Sequence, residues 1–193
     1  MNATQTGPRH DAGASAADRA AREAAAISRI ERAWIVLDGV PDPEVPVVSV
    51  CDLGIVRDVV AGDADGLTVV VTPTYSGCPA TEVIEQSIVE ALVAAGLGPV
   101  RIEMRRAPAW TTDWMSDEGR RKLREYGIAP PGACAPTQAV PMRFMPRPRS
   151  TALACPRCES TDTERISAFG ATACKALYRC RACGEPFEYF KPI

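Results

Sequence analysis

The sequence predicts an α+β protein, a small α/β domain followed by a cysteine-rich module. Between residues 16 and 107, helical periodicity and short apolar strands alternate along the chain. Residues 151–193 contain two Cys-x-x-Cys pairs, a spacing typical of tetrahedral zinc sites. A proline-rich stretch, residues 129–150, is predicted to be an extended linker. The second part is therefore predicted to be a four-cysteine zinc ribbon.

The composition favours a soluble, cytoplasmic protein. The chain has 193 residues, 46% of them hydrophobic, a formal net charge of −2 and a pI of about 5.5. Without an excess of positive charge, we expect no binding to nucleic acid or to an anionic membrane. We find neither a signal-peptide core nor the roughly 18 consecutive apolar residues of a membrane span. Eight cysteines in a cytoplasmic protein indicate metal binding or thiol chemistry more than disulfides.

The chain has a single histidine, His10, which argues against several classes of enzyme that depend on histidine. This histidine lies in residues 1–15, which lack periodicity and are predicted to be a disordered tail. Metal hydrolases usually draw on imidazole ligands, di-iron helix bundles use paired Glu-x-x-His motifs, and Ser–His or Cys–His nucleophile pairs need a histidine near the nucleophile. We therefore expect that this chain alone cannot form the active site of any of these enzymes.

The α/β domain, residues 16–107, is predicted to begin with a helix over about 16–38. Apolar residues recur at helical spacing and should form one buried stripe. The stripe consists of Ile27, Ile30, Trp34 and Leu37. After a turn that contains three prolines, "VVSV" and "GIVRDVV" are predicted to be strands, and residues 55–72 a hairpin.

A second helix is predicted over about 79–95, where apolar residues again repeat at helical spacing and Gly96 ends the pattern. The segment "VRIEMR" follows as an alternating strand. Its inward side chains are Val100, Ile102 and Met104. Residues 108–128 are predicted to form a helical extension, with Ser116 as its N-cap and Gly127 as its C-cap.

The strongest chemical signal is the pair of Cys-x-x-Cys motifs in residues 151–193. Their thiols are those of Cys155, Cys158, Cys180 and Cys183. Four thiolates from two such turns can converge on zinc, and an iron–sulfur cluster takes the same number. A module this small cannot be stable on its core alone, so bound metal should supply much of its folding energy. We predict zinc in a structural role, with an iron–sulfur cluster as the alternative.

Aromatic residues in the second half of the chain admit two interpretations. The segment "FEYF" places Phe187, Tyr189 and Phe190 beside the second cysteine pair. Trp110 and Trp114 are four residues apart and would share a face if their segment were helical. Each group could contact a partner protein, or could pack within the protein's own core.

Cys78, in the motif "TPTYSGCPA", is a second candidate. Pro79 suits the first turn of a helix, so Cys78 would be the N-cap, where the helix dipole lowers the pKa of a thiol. Such a thiolate could ligate a metal or exchange disulfides; the alternative is a small buried residue in a turn. The carboxylates of Asp42, Glu44 and Asp52 could add oxygen ligands, or could act as caps and turn formers.

Four stretches of the sequence resemble known families. The segments "DPEVPVVSVCDLGIVRDV" and "VTPTYSGCPATEVI" are similar to the small α/β domain of SufT-type iron–sulfur assembly factors. The segments "PAWTTDWMSDEGRRKLREYGIAPP" and "FGATACKALYRCRACGEPFEYFK" are similar to the PaaD (PaaJ) family of the bacterial phenylacetyl-CoA epoxidase system. The similarity runs from about residue 30 to the end of the chain, apart from the linker.

The resemblance implies an accessory subunit of phenylacetyl-CoA ring 1,2-epoxidase, a multicomponent monooxygenase of aerobic phenylacetate catabolism. Such a subunit helps to assemble iron–sulfur or di-iron centres, and its partners are the oxygenase subunits or their iron–sulfur flavin reductase. By motif match, Cys78 is the family's cluster-domain cysteine and the four ribbon thiols are its metal ligands. Cys174, in "TACKALYRC", is then a candidate transient ligand. The family tail tends to carry a cysteine where this chain has Pro192.

Three hypotheses remain open on the sequence alone. The first is a maturation factor that offers Cys78 to iron or an iron–sulfur cluster in transit. The second is a purely structural subunit whose zinc ribbon clamps the oxygenase complex. The third is a thiol–disulfide enzyme that uses Cys174 and a Cys-x-x-Cys pair. The sequence is also compatible with a homodimer.

Overall fold

The computed structural model describes residues 16–62, 66–75, 77–132 and 153–192. The predicted tail, with His10, and most of the predicted linker, with Cys134, lie outside these ranges. No helix within them has an apolar stretch long enough to cross a membrane. The described residues form two sheets, one of three strands and one of four, together with three α-helices.

The first predicted helix is confirmed as α1 (Ala16–Asp38), but its buried face differs from the predicted stripe. Ala33 and Leu37 are fully buried, whereas Ile27 is 58% exposed. Leu37 follows Ile27 by ten residues, and at about 100° per residue this separates their side chains by roughly 80° around the helix axis. Ile27 therefore lies on a different face from Leu37. The stripe was therefore wrong at its N-terminal end.

The first sheet confirms the predicted hairpin and the third strand. β1 (Val56–Ala61) pairs antiparallel with β2 (Leu67–Val71), and β2 pairs parallel with β3 (Val100–Met104). The parallel connection runs through α2 (Thr81–Ala94). The helix buries Ile84, Ile88 and Leu92 in the core.

The predicted strand "VVSV" is wrong. Its residues form a buried loop in which the pairing is a single bridge between Pro41 and Ser49. Carboxylates, rather than a neighbouring strand, satisfy part of the loop backbone: Asp42 accepts from the N–H of Val45 at 2.8 Å, and Asp52 accepts from the N–H of Ser49 at 3.0 Å. Apolar composition alone does not separate such a loop from a strand.

The helical extension contains a short 3₁₀ turn and α3 (Asp117–Tyr126), whose predicted caps are confirmed. The Ser116 hydroxyl accepts from the N–H of Gly119 at 2.8 Å, and Gly127 has a φ of 97°. The two tryptophans do not share a helical face, because Trp110 precedes the turn. Trp110 packs in the core, as one interpretation predicted, and its indole N–H donates to the Leu53 carbonyl at 2.9 Å.

The strands of the second sheet were not predicted individually, and one of them lies outside the predicted ribbon. The strand order is β4 (Ile128–Ala129), β7 (Pro186–Phe190), β6 (Lys175–Cys180) and β5 (Thr163–Ser167). β4 directly follows α3 and pairs parallel with β7, so the extension contributes to the ribbon sheet. The fold class, an α/β domain with a cysteine ribbon, is confirmed. Its division at residues 107, 128 and 150 stays a prediction.

The aromatic segment of β7 faces inward rather than forming a free surface. Phe187 and Phe190 are buried, and Tyr189 is partly buried. Phe190 belongs to the core of the α/β part, where its ring centroid lies 6.1 Å from that of Trp110. The ribbon is thereby packed into the domain that precedes it.

Candidate metal centres

Each Cys-x-x-Cys pair lies in the same kind of backbone turn. The carbonyl of the first cysteine, Cys155 or Cys180, accepts from the N–H four residues later, and its own N–H donates to the carbonyl five residues later. All four of these hydrogen bonds are 2.9 Å long. In both turns the residue directly after the second cysteine has a positive φ, 61° at Glu159 and 77° at Gly184. The two turns therefore present their thiols in equivalent ways.

The four ribbon sulfur atoms have the spacing of a tetrahedral metal site. Their Sγ atoms all lie within 4.8 Å of one another. The Cys155–Cys183 distance is 3.9 Å and the Cys158–Cys180 distance is 3.5 Å. A tetrahedron with zinc–sulfur bonds of about 2.3 Å has sulfur–sulfur edges of about 3.8 Å. The arrangement fits a closed site that binds a metal ion through four thiolates.

The surroundings of this centre shift the pKa values of two of its thiols in opposite directions, and little else holds the module together. The N–H of Ser160 lowers the pKa of Cys158, but the sulfur atoms around it outweigh this and raise that pKa to about 12. The backbone N–H of Cys183 donates to the Cys180 sulfur at 3.5 Å and lowers the pKa of that thiol to about 7. The ribbon's own buried core is small and consists of Ala129, Cys155, Cys180 and Phe187. A bound metal would therefore contribute much of the stability of this module.

A second group of candidate ligands lies around one cavity between the two parts of the chain. Cys78 of the α/β part and Cys174 of the ribbon both line it, together with Asp42 and Glu44. The apolar walls include Leu53, Ile55, Val71, Ile84, Met104 and Phe190. The structure thus brings together four of the residues that the sequence singled out, although Cys174 is far from the others along the chain.

The third predicted carboxylate, Asp52, lies elsewhere and is fully engaged. Its Oδ1 accepts from the Ser116 hydroxyl at 2.9 Å, and its Oδ2 accepts from the Lys122 ammonium at 2.7 Å and from the N–H of Ser49. Burial alone would raise the pKa of Asp52, but these donors outweigh it and lower the pKa. Asp52 fastens the loop to α3 rather than facing the cavity.

Cys78 is not the helix N-cap that the motif predicted. The N-cap is Ala80 and α2 begins at Thr81, so Cys78 precedes the N-cap by two residues. Burial raises the pKa of Cys78, and the charges of Glu44 and Asp42 raise it further. Together these effects outweigh the hydrogen bond from the Ala80 N–H, which lowers the pKa. The expected lowering of this pKa is therefore wrong, because desolvation and nearby anions dominate.

The other acidic groups of the cavity are shifted in the same direction. Burial raises the pKa of Asp42 although Oδ1 accepts two backbone hydrogen bonds. Burial and then the Asp42 charge raise the pKa of Glu44, and burial raises the pKa of Cys174. These shifts follow from several anion-forming groups in a poorly solvated space. A bound cation would reverse them.

Sequence reasoning missed three ionisable residues at the cavity: Glu85, which lines it, and Tyr75 and Lys175, which lie beside it. The Tyr75 carbonyl accepts from the N–H of Cys78 at 3.2 Å, and burial, followed by the charges of the thiols and Glu44, raises the pKa of the Tyr75 hydroxyl. Lys175 is buried, pairs with Glu188 at 2.7 Å, and its charge acts on Asp42, Glu44 and Cys174. Its position next to Cys174 at the start of a strand was the available signal, but strand lysines are usually exposed.

Two family models match the chain, one for each part. Residues 30–104 match the iron–sulfur cluster assembly protein family, and residues 142–191 match the PaaD zinc beta ribbon domain. An Escherichia coli protein, provisionally named as one of the subunits of 1,2-phenylacetyl-CoA epoxidase, is 48% identical over 165 residues, which are 86% of this chain and 94% of that protein. The chain belongs to the PaaD family.

The α/β part of this PaaD-family chain is also similar to proteins without the ribbon match. The Fe-S protein maturation auxiliary factor of Porphyromonas gingivalis is 39% identical over 90 residues, 46% of this chain and 84% of that protein. The crystal structure of the DUF59 domain of unknown function from Bacillus anthracis matches with a TM-score of 0.49 and 23% identity, over 52% of this chain and 96% of that one. The resemblance identified from the sequence motifs is confirmed by the PaaD-family match.

Proposed function

We propose that this chain is a non-catalytic accessory subunit that helps to assemble the metal centres of a phenylacetyl-CoA epoxidase. The E. coli relative carries the name of a subunit of that enzyme, and the P. gingivalis relative that of an Fe-S maturation factor. The observation that carries the proposal is the cavity, where the thiol of Cys78 lies with other metal-ligating side chains. Iron, the metal of the centres to be assembled, is the cargo of this cavity.

The two candidate centres have different tasks in this proposal. Zinc is the metal of the four-cysteine centre, whose sulfur spacing matches zinc–thiolate geometry, and when bound it ties the two turns together. The Cys78 thiol stays protonated while the cavity is empty, because burial and the charges of Glu44 and Asp42 oppose its ionisation. An arriving cation offsets those charges, so Cys78 can release its proton and become a ligand.

A purely structural role is the second candidate function, and one observation favours it. The ribbon is anchored through β4 and through Phe190, which lies in the core of the α/β part. A ribbon held in this way could clamp the oxygenase subunits without any thiol chemistry. The two functions differ in whether Cys78 is needed.

The test compares two serine substitutions in the full-length chain. Cys78→Ser removes the cavity thiol, and Cys51→Ser is the matched control, since Cys51 is also half-buried but lies outside the cavity lining. The oxygenase and its reductase are matured with each variant or without this chain, and the iron content of each component is measured. We expect Cys78→Ser to reduce loading to the level without this chain and Cys51→Ser to leave it unchanged. Full loading with Cys78→Ser supports the structural role instead.

A further inference from the structure

We propose that Cys78 and Cys174 act as a pair, forming a two-thiol site for a ferrous ion that both parts of the chain build together. The identity of the ion rests on the proposed function. The site itself rests on the cavity, which Cys78 enters from the α/β part and Cys174 from the ribbon. Neither part alone contains both thiols.

The ribbon sheet fixes the position of Cys174. The residue immediately precedes β6, and its carbonyl accepts from the N–H of Lys191, just after β7, at 2.9 Å. The neighbouring pair Lys175–Phe190 continues the β6–β7 ladder. Because Phe190 is buried in the core of the α/β part, the same ladder places the Cys174 thiol, which is 5% exposed, at the cavity.

The composition of the cavity differs from that of an apolar core pocket. Its walls are largely apolar, and Cys174 belongs to the core that forms them, as a cysteine that serves only as a small apolar residue would. The difference is that three carboxyl groups, those of Asp42, Glu44 and Glu85, line the same cavity as the two thiols. Thiolates and carboxylates together suit a divalent ion of intermediate softness such as Fe²⁺.

The charges near the cavity leave room for a cation. The ammonium group of Lys175, whose charge acts on Asp42, Glu44 and Cys174, is already paired with Glu188 at 2.7 Å. The carboxylates of Asp42 and Glu44, and the thiols once they ionise, therefore exceed the local positive charge. A divalent ion would restore the balance while the buried side chains keep their hydrogen bonds.

The spacing of the cavity donors suits an ion that must leave again. In the part of the chain that the structure describes, the ribbon thiols form the metal-ligating group whose donor atoms all lie within 4.8 Å. The cavity donors are more widely spaced, so they must move to close around an ion. That movement offsets part of the binding energy, and the ion should exchange more readily than zinc in the ribbon.

The test uses Co²⁺ alone as a coloured substitute for Fe²⁺, added without oxygen to the full-length, zinc-loaded chain. Thiolate-to-cobalt charge-transfer absorbance reports how many thiolates bind the ion. We expect Cys78→Ser and Cys174→Ser each to halve this absorbance and to weaken Co²⁺ binding by at least about tenfold, the lower end of the loss for outer-shell substitutions. The double variant should lose the signal, and Cys51→Ser should match the unaltered chain.

Two controls make the result decisive. The zinc content of each variant shows that the ribbon is folded, and absorbance that appears together with zinc release is assigned to the four ribbon thiols and subtracted. Absorbance in the double variant without zinc release overturns the pair. Cys174→Ala gives an independent reading: at a Co²⁺ concentration that just saturates the unaltered chain, Cys78 should be protected from alkylation there but only partly protected in this variant, because its affinity for Co²⁺ is lower. Unchanged absorbance and affinity in Cys174→Ser, or full protection in Cys174→Ala, overturns the pair.

The two proposals can fail separately. If Cys174 substitutions leave Co²⁺ binding intact while Cys78→Ser still lowers the iron content of the epoxidase components, the pair is overturned and the proposed function stands. If both thiols are needed for Co²⁺ but Cys78→Ser leaves those components fully loaded, the two-thiol site stands and the maturation role is overturned.

Discussion

Replacing Phe190 by alanine should loosen the attachment of the ribbon to the α/β part. The side chain is 1% exposed and packs against Trp110 at a centroid distance of 6.1 Å. Truncation of a buried phenylalanine lowers the free energy of unfolding by about 3–5 kcal/mol, and the lost ring pair places the effect in the upper part of that range. For a chain of this size, the melting temperature should fall by roughly 6–20 °C.

The matched control for this substitution is Phe169→Ala, because Phe169 belongs to the same module but is 65% exposed. Its ring lies 4.6 Å from the Lys191 ammonium, a contact of about 0.5–1 kcal/mol, so the control should cost no more than that. Urea unfolding of the zinc-loaded chain measures both variants. Phe190→Ala should also speed the alkylation of Cys78, since Phe190 forms a wall of the cavity. Equal losses of stability in the two variants would refute the packing described for the ribbon.

Two further predictions concern Gly54 and Asp52, which lie in the segment between α1 and β1. A Cβ on Gly54, whose φ is 65°, would lie 2.4 Å from the Trp114 carbonyl oxygen, so Gly54→Ala should destabilise the chain by several kcal/mol. The control is Gly96→Ala, where φ is 73° but the space is open, and it should cost only about 1–2 kcal/mol. Equal melting temperatures for the two variants would contradict the clash. The lowered pKa of Asp52 means that its ion pair with Lys122 stabilises the fold above the unfolded pKa of about 3.9, and that this stability is lost as pH falls through the folded pKa. The difference in unfolding free energy between the unaltered chain and Asp52→Asn should therefore shrink between pH 6 and pH 3, and a constant difference would argue against it.

Local signals sufficed for much of the fold. The caps of α3 at Ser116 and Gly127, the β1–β2 hairpin and the alternation of β3 depend on residues close in sequence, and each was predicted. The ribbon cysteines were found for the same reason, since each turn brings its own pair together. Whether they ligate the metal as proposed stays a prediction.

The cavity could not be predicted, because it depends on contacts between distant segments. Cys174 lines the same cavity as Cys78 because β4 pairs with β7 and Phe190 inserts into the core of the α/β part. The predicted lowering of the Cys78 pKa was wrong for a related reason. Helix-dipole reasoning is local, whereas the burial and the Glu44 charge that dominate arise from tertiary packing.

The most direct test of the account follows zinc and iron together. The full-length chain is loaded with Fe²⁺ without oxygen, freed of excess iron, mixed with an iron-free epoxidase component and separated again. The account predicts that about one zinc per chain stays in the ribbon, as expected of a closed four-cysteine site, while iron moves to the epoxidase component. Iron that remains with this chain, or that never binds to it, would contradict the role of the cavity as a site for iron in transit.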